Sequence, residues 1–351
     1  VNPNDPAFDS WIRELNPDYV IFDRFIIEEQ FGWRVQETVP HAIRILDTVD
    51  LHFLRRGRLK ALNDKKTLEE IAHCKFELIS EDALRELGSI YRSDCALIIS
   101  SFEMNLLTDV LNISKERLFL SRLFYQDLTS SPLFDEREGF VIIGNFRHAP
   151  NSDGVRWFRR EIWPLIRKQL PLAQVYIYGA YPTKEMMSLS QSDSGFHVLG
   201  STPNQFHALK KHRVNLAPIR FGAGIKGKIS DGWWSGTPVV ATQVAAEGMN
   251  DNLPWGGEIS NSPELFAHHA VTLYTQQNIW QLAQERGFEL IRKLYTSDPH
   301  SKDLMNHLLA IKIDIHSIRK NNLIGAILNH DLHRSTKYFS KWIEEKNKVL
   351  T

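Results

Sequence analysis

The segment Ile219-Arg220-Phe221-Gly222-Ala223-Gly224-Ile225-Lys226-Gly227-Lys228-Ile229-Ser230-Asp231 concentrates the residue types best suited to hold an anion. It follows a strand-like run and opens a helical one. Gly222, Gly224 and Gly227 let backbone N–H groups approach a ligand closely, and the start of a helix adds a favourable dipole. Arg220, Lys226 and Lys228 supply fixed positive charge. The chemistry is that of diphosphate or carboxylate binding. Two known patterns overlap here. Gly222-x-Gly224-x-x-Gly227 satisfies the dinucleotide fingerprint, and Glu247 lies twenty positions beyond Gly227. Gly222-x-x-x-x-Gly227-Lys228 nearly matches a Walker A loop, with Ile229 where Ser or Thr would hold magnesium. The fingerprint belongs in the first strand–helix turn of its domain, and this loop comes about four strands into its own unit.

Other polar sets sit just past strand-like runs. Gly144-Asn145-Phe146-Arg147 follows Phe140-Val141-Ile142-Ile143, and Glu247-Gly248 follows the run Pro238 to Thr242. In open α/β sheets ligands bind beyond the carboxyl ends of strands. Asp50 and His52 follow the run Ala42 to Asp47, where a carboxylate can act as base and an imidazole can orient a hydroxyl. The run Arg55-Arg56-Gly57-Arg58-Leu59-Lys60 reads either as a solvated face or as a contact for an anionic acceptor. Trp233 and Trp234 are adjacent, so they cannot share one helical face, and at least one belongs to the core.

The elements that must position these residues alternate. Tyr19 to Phe22, Ala42 to Asp47 and Cys95 to Ser100 read as strands, separated by helical patterns at Thr67 to Cys74 and Glu81 to Tyr91. Ser130 to Glu138 is polar and contains Pro132, and reads as a linker. Beyond it the alternation restarts. Strands are expected at Phe140 to Gly144, Gln174 to Gly179, His197 to Gly200, Arg213 to Ala217 and Thr237 to Thr242. A helix over Asp153 to Gln169 is expected, capped by Asn151 or Ser152, and another over Pro203 to Lys211. This division gives an N-terminal α/β domain over 1–135, a nucleotide-binding Rossmann-like domain over 136–300 and a helical tail over 301–351. In the tail, Tyr338, Phe339 and Trp342 share one face and read as packing onto a domain.

Composition bounds the rest. The chain has 351 residues, long enough for two domains. Lys+Arg and Asp+Glu are both 42, so the net charge is zero and the basic excess of a general nucleic-acid binder is missing. Two cysteines cannot build a disulfide framework or a four-cysteine zinc site, and a reduced, cytoplasmic compartment is expected. No apolar run is long enough to span a bilayer, and the start Val1-Asn2-Pro3-Asn4-Asp5-Pro6 has no signal-peptide pattern. No Asp-x-Asp, His-Glu-x-x-His, Cys-x-x-Cys or Gly-x-Ser-x-Gly occurs.

The run from Phe140 to Asn250 resembles the donor-binding domain of family-4-like (group 1) glycosyltransferases of the GT-B fold. Three blocks carry the likeness: Phe140 to Asn151 with Val155-Arg156-Trp157-Phe158 after it, Leu216 to Lys228, and Gly236-Thr237-Pro238-Val239-Val240-Ala241-Thr242 with Ala246-Glu247-Gly248-Met249. The resemblance implies two Rossmann-type domains facing a cleft, the N-terminal one incomplete because its first strands would lie before Val1. It implies transfer of a sugar from a nucleotide-diphospho-sugar, with retention of configuration and with no metal or other cofactor. Gly144, Asn145, Arg147, Arg220, Gly222, Gly224, Gly227, Lys228, Glu247 and Gly248 would contact the donor, and Lys226 would neutralise the leaving diphosphate. Many relatives carry two acids eight positions apart in this block. Here Asp231 holds the second, ribose-binding position and Ala223 the first. His52 and Asp50 would serve the acceptor side. The acceptor stays open between saccharide, lipid and protein, with peripheral membrane contact also open. Two other readings remain: a non-catalytic nucleotide- or partner-binding module of the same ancestry, and an NAD-dependent oxidoreductase.

Overall fold

A computed structural model describes residues 2–127 and 130–348. It contains two parallel sheets flanked by helices. The first sheet has four strands in the order β1 (Tyr19–Asp23), β2 (Ile43–Asp47), β3 (Cys95–Ile98) and β4 (Leu118–Leu120). Ile43, Ile45, Leu46, Cys95, Ala96 and Ile98 are all almost fully buried, as expected of central parallel strands covered on both faces. The second sheet comprises β5 (Phe140–Ile143), β6 (Val175–Tyr178), β7 (Phe196–Gly200), β8 (Val214–Ala217), β9 (Val239–Ala241) and β10 (Gly257–Ile259), in the order β10-β9-β8-β5-β6-β7. All pairings are parallel. From β5 the chain winds outward through β6 and β7, then returns to place β8 on the other side of β5. The strand order therefore reverses between β5 and β8, where a doubly wound sheet opens a crevice for a ligand.

Two compact units divide the chain differently from the domains expected above. One unit comprises 1–53, 78–121 and 299–351, and the other 54–77 and 122–298. Three pieces have moved. The segment 54–77 belongs with the second sheet because Ala61 and Ile71 join the core formed by Ile219, Ile229, Trp233 and Val244. Ser130 to Glu138 is no linker. Phe134 packs edge-on against Trp280, 5.6 Å between centroids, and Arg137 is almost fully buried within the second unit. The tail is no separate body, because its helices Ser297–Lys320 and Leu323–Lys348 are tied into the first unit. Arg319 binds Asp94 through two nitrogens at 2.9 and 2.8 Å, Tyr19 donates to the carbonyl of Leu308, and buried Arg34 pairs with Glu344. The face carrying Tyr338, Phe339 and Trp342 does not pack. The three rings are 57–63% exposed, while Ser340 on the other side is buried.

The helix after β5 starts earlier than its cap signals suggest. It begins at Ala149 with Pro150 in its first turn and passes through a π turn at Phe158–Ile162 to end at Gln169. Pro tolerates this position because its missing N–H would have no helical partner. Asn151 and Ser152 are thereby released from capping. Ser152 donates to the carbonyl of Phe146 at 2.7 Å, and Asn151 donates to that of Asn145 at 2.9 Å. Both side chains fix the loop that leaves β5. Two strands, β4 and β10, each of three residues, carry no sequence signal strong enough to stand out.

Candidate functional site

Within the second unit, the loops after β5 and β8 meet. A cavity of about 340 Å³ lies there, lined by Gly144, Asn145, Asn151, Tyr178, Ser201, Gln205, Lys228 and Asp231 among others. Gly144 permits this meeting. A Cβ added to it would lie 2.8 Å from the Lys228 Nζ and 2.7 Å from the Asn151 side chain. Lys228 Nζ donates to Asn151 Oδ1 at 2.5 Å. Burial, reinforced by the nearby charge of Lys226, lowers the Lys228 ammonium to about 7.

The glycine loop runs from the end of β8 into the helix Gly227–Trp234, with Lys226 at the N-cap. Gly224 has φ +64°, which a side chain would strain. Lys226 is 9% exposed, and its Nζ donates to the carbonyls of Gly224 at 2.7 Å and Ala223 at 3.3 Å. These bonds hold the amine over the loop from which it springs. The loop lies after the fourth strand of its sheet, not after β5, so the dinucleotide fingerprint is out of its usual place.

The remaining predicted residues divide. Arg220 forms a two-point pair with Asp153 at 2.9 and 2.5 Å, so much of its charge is spent on packing the helix Ala149–Trp157. Arg147 stacks over Tyr181, 3.7 Å from the ring centroid. Asp231 lines the cavity, and its Oδ1 accepts a 2.6 Å bond from the Tyr125 hydroxyl. Burial lifts its carboxyl to about 6 despite that bond. Glu247 receives a 2.5 Å bond from Arg58, and Gly248 follows with φ +66°. Arg58 belongs to the basic run that had two surface readings; it is fully buried and fits neither. Trp233 is core, donating to the carbonyl of Gly256. Trp234 packs on Phe206 and donates to the carbonyl of Gln126. Neither indole lines the cavity.

In the first unit, Asp50 and His52 stand at the start of the helix His52–Asn63, with His52 Nε2 3.3 Å from Asp50 Oδ1. Both are buried. Two acids that the sequence did not single out complete this place. Glu86 accepts from the backbone N–H groups of His52 and Phe53 at 3.1 and 3.0 Å, and Glu103 from that of Leu51 at 2.9 Å. Burial outweighs those bonds and raises Glu86 to about 8. Asp153, Tyr125, Glu86 and Glu103 carried no local signal, because each lies far along the chain from the group it serves.

A pH prediction follows from Lys228. An anion stabilises the ammonium, and the ligand-free lysine loses its proton as pH rises through about 7. Affinity for a diphosphate is therefore expected to fall above pH 7, by up to about tenfold per pH unit, with proton uptake on binding. Calorimetry in buffers of different ionisation enthalpy reads the uptake directly; no uptake at pH 8 would contradict it.

Residues 137–276 match the family described as glycosyl transferases group 1. A protein from the cps region of Klebsiella pneumoniae, of 44.6 kDa, is 22% identical over 164 residues, which is 45% of this chain and 42% of that protein. Among solved structures, TarM of S. aureus, in a complex that includes UDP and alpha-GlcNAc-glycerol, aligns over 86% of this chain and 58% of its own, with TM-score 0.64 and 12% identity. Sucrose-phosphate synthase of Thermosynechococcus elongatus aligns over 87% and 77%, with TM-score 0.62 and 13% identity. The pneumococcal O-GlcNAc transferase GtfA, solved with UDP and GlcNAc, aligns over 89% and 59%, with TM-score 0.58 and 14% identity. The chain thus spans less than two thirds of the length of several proteins it resembles. Its fold is that of the GT-B class, with two parallel α/β sheets. Within it, the segment 137–276, most of the second unit, is the part that is similar to group 1 glycosyl transferases.

Proposed function

We propose that this chain transfers a sugar from a nucleotide-diphospho-sugar to an acceptor, with retention of configuration. The observation that carries the proposal is the placement of Lys228 beside Gly144 and Asn151, with Lys226 close behind it, at the crevice between β5 and β8. Two amines and the loop N–H groups would stabilise the charge that develops on a departing diphosphate, which is usually the largest catalytic term. In this scheme the lysines do the work that a metal does elsewhere, and no cofactor is invoked. The cavity with Asp231 would take the nucleoside, and the Asp50–His52 pair of the first unit would serve the acceptor. The proteins TarM and GtfA, both solved with UDP, support a nucleotide sugar as donor and a saccharide-type acceptor. Two free cysteines, Cys74 and Cys95, fit a reduced cytoplasmic setting, and no described helix is long and apolar enough to cross a membrane.

The test is thermal unfolding with UDP, GDP, ADP, TDP, NAD and ATP. At a hundred times Kd, a ligand stabilises by about 2.7 kcal/mol, which is readily measured. One nucleoside diphosphate is expected to shift the transition, and its sugar conjugates then to be turned over; product anomers are read by NMR. A shift with NAD alone would favour the oxidoreductase. A second reading draws on the Tyr125–Asp231 bond, which occupies one oxygen of the ribose-binding acid. Binding with no turnover of any sugar conjugate would favour this reading, a non-catalytic module.

A further inference from the structure

Among the described residues, Arg58 is one of the three most completely buried arginines, and all of its described contacts lie in the second unit. Its Nη1 donates to the carbonyl of Gly222 at 2.8 Å, and its Nη2 to Glu247 Oε1 at 2.5 Å. More distantly, Nη2 reaches the Ala72 carbonyl at 3.5 Å and Cys74 Sγ at 3.6 Å. One guanidinium thus ties the glycine loop after β8 to the turn after β9. Two consequences follow from elementary geometry and electrostatics. The peptide joining Gly222 to Ala223 is planar and trans, so its C=O and N–H point in opposite directions. Anchoring the carbonyl on Arg58 turns the Ala223 N–H the other way, away from the buried guanidinium. The second consequence concerns charge. Glu247 would place a carboxylate beside a loop that must attract a diphosphate, and at separations of this order an uncompensated charge weakens anion binding by about tenfold or more. Arg58 cancels it.

We propose that Arg58 is a positioning residue for the diphosphate subsite: it aims the Ala223 N–H and neutralises Glu247, so that the field of Lys226 and Lys228 is not opposed. This rests on the function proposed above and adds to it a residue far away in sequence, outside the family-matched segment 137–276. Arg58 itself does not touch the ligand.

The experiment compares two probes by calorimetry: the nucleoside diphosphate that binds wild-type protein, and the corresponding nucleoside without phosphates. Arg58→Met is expected to weaken the diphosphate about tenfold or more and leave the nucleoside within about twofold. Arg58→Met/Glu247→Gln is expected to recover most of that loss, because the orphaned carboxylate is gone. A purely structural role would weaken both probes alike and would not be rescued by a second substitution, and either result overturns the proposal. An unchanged diphosphate affinity in Arg58→Met overturns it as well. If Arg58→Met does not fold, Arg58→Lys decides. A loss confined to the diphosphate supports the proposal, and an equal loss for the nucleoside overturns it. Wild-type protein that binds neither a nucleoside diphosphate nor inorganic pyrophosphate overturns the functional reading and this proposal together. Wild-type binding with the wrong pattern in the variants overturns this proposal alone.

Discussion

Replacing Lys226 and Lys228 together by alanine is expected to abolish the stabilisation by nucleoside diphosphate and to lower turnover of the sugar donor by about a thousandfold or more. Removing one preorganised donor from a site of developing charge costs about a hundred- to a thousandfold. The two amines are close enough that the charge of Lys226 depresses the ammonium of Lys228, so their effects are not independent. The sign of the stability change separates loss of function from loss of fold. The folded-state Lys228 sits near 7, below its ordinary range, so protonation favours the unfolded chain until pH rises through the unfolded value of about 10.4. Lys228→Ala removes that penalty. The ligand-free single variant is therefore expected to melt no lower than wild type at pH 6, while its shift with nucleoside diphosphate shrinks. A variant that melts several degrees lower and still binds the diphosphate would refute the assignment.

Arg137→Ala is expected to be the most damaging single change to stability. The Arg137 guanidinium is almost fully buried and donates to five acceptors: the carbonyls of Pro132 (3.0 Å), Leu209 (3.3 Å), His212 (3.3 Å) and Ser235 (2.8 Å), and the hydroxyl of Thr237 (2.7 Å). Its plane also faces Trp280 at 5.3 Å. Burial lowers its charge preference to about 10, so the cation still persists at neutral pH. These acceptors come from the segment before β5, the end of the helix Gln205–Lys211 and the turn before β9. Truncation orphans them at once. Each buried unpaired group costs about 1–3 kcal/mol, and after partial relaxation a net loss of about 3–5 kcal/mol is expected. For a unit of this size that lowers Tm by roughly 10 °C. Calorimetry checks it, and a fall under roughly 2 °C would show that the segment 130–138 is the loose connection its composition suggests.

That segment shows where local reading ends. Ser130 to Glu138 is polar, charged and holds a proline, all of which describe a linker. The decisive residue, Arg137, is buried only because acceptors from two distant elements, the end of the helix Gln205–Lys211 and the turn before β9, converge on it. The basic run Arg55 to Lys60 shows the same limit. On its own it describes a solvated surface, yet Arg58 lies at 0% exposure because Gly222 and Glu247, both more than 160 positions away, supply its partners. Asn151 and Ser152 have the chemistry of helix caps, but Pro150 starts the helix earlier and frees both side chains for the loop after β5.

The sequence by itself determined the two α/β units, the positions of eight of the ten strands to within a residue or three, and the gathering of glycines and cations in the loop from Gly222 to Lys228. These are local properties: apolar runs of strand length, glycines that let the backbone turn and approach closely, and cations beside them. Only the tertiary structure decided which residues share a neighbourhood. It brought Lys228 onto Gly144 and Asn151, gave Asp231 its Tyr125 partner, set Glu86 and Glu103 beneath His52, and returned the tail helices to the first unit. The reason is physical. A buried charge or polar group must find partners wherever the fold supplies them, and in a parallel sheet with crossover connections those partners lie tens to hundreds of residues away.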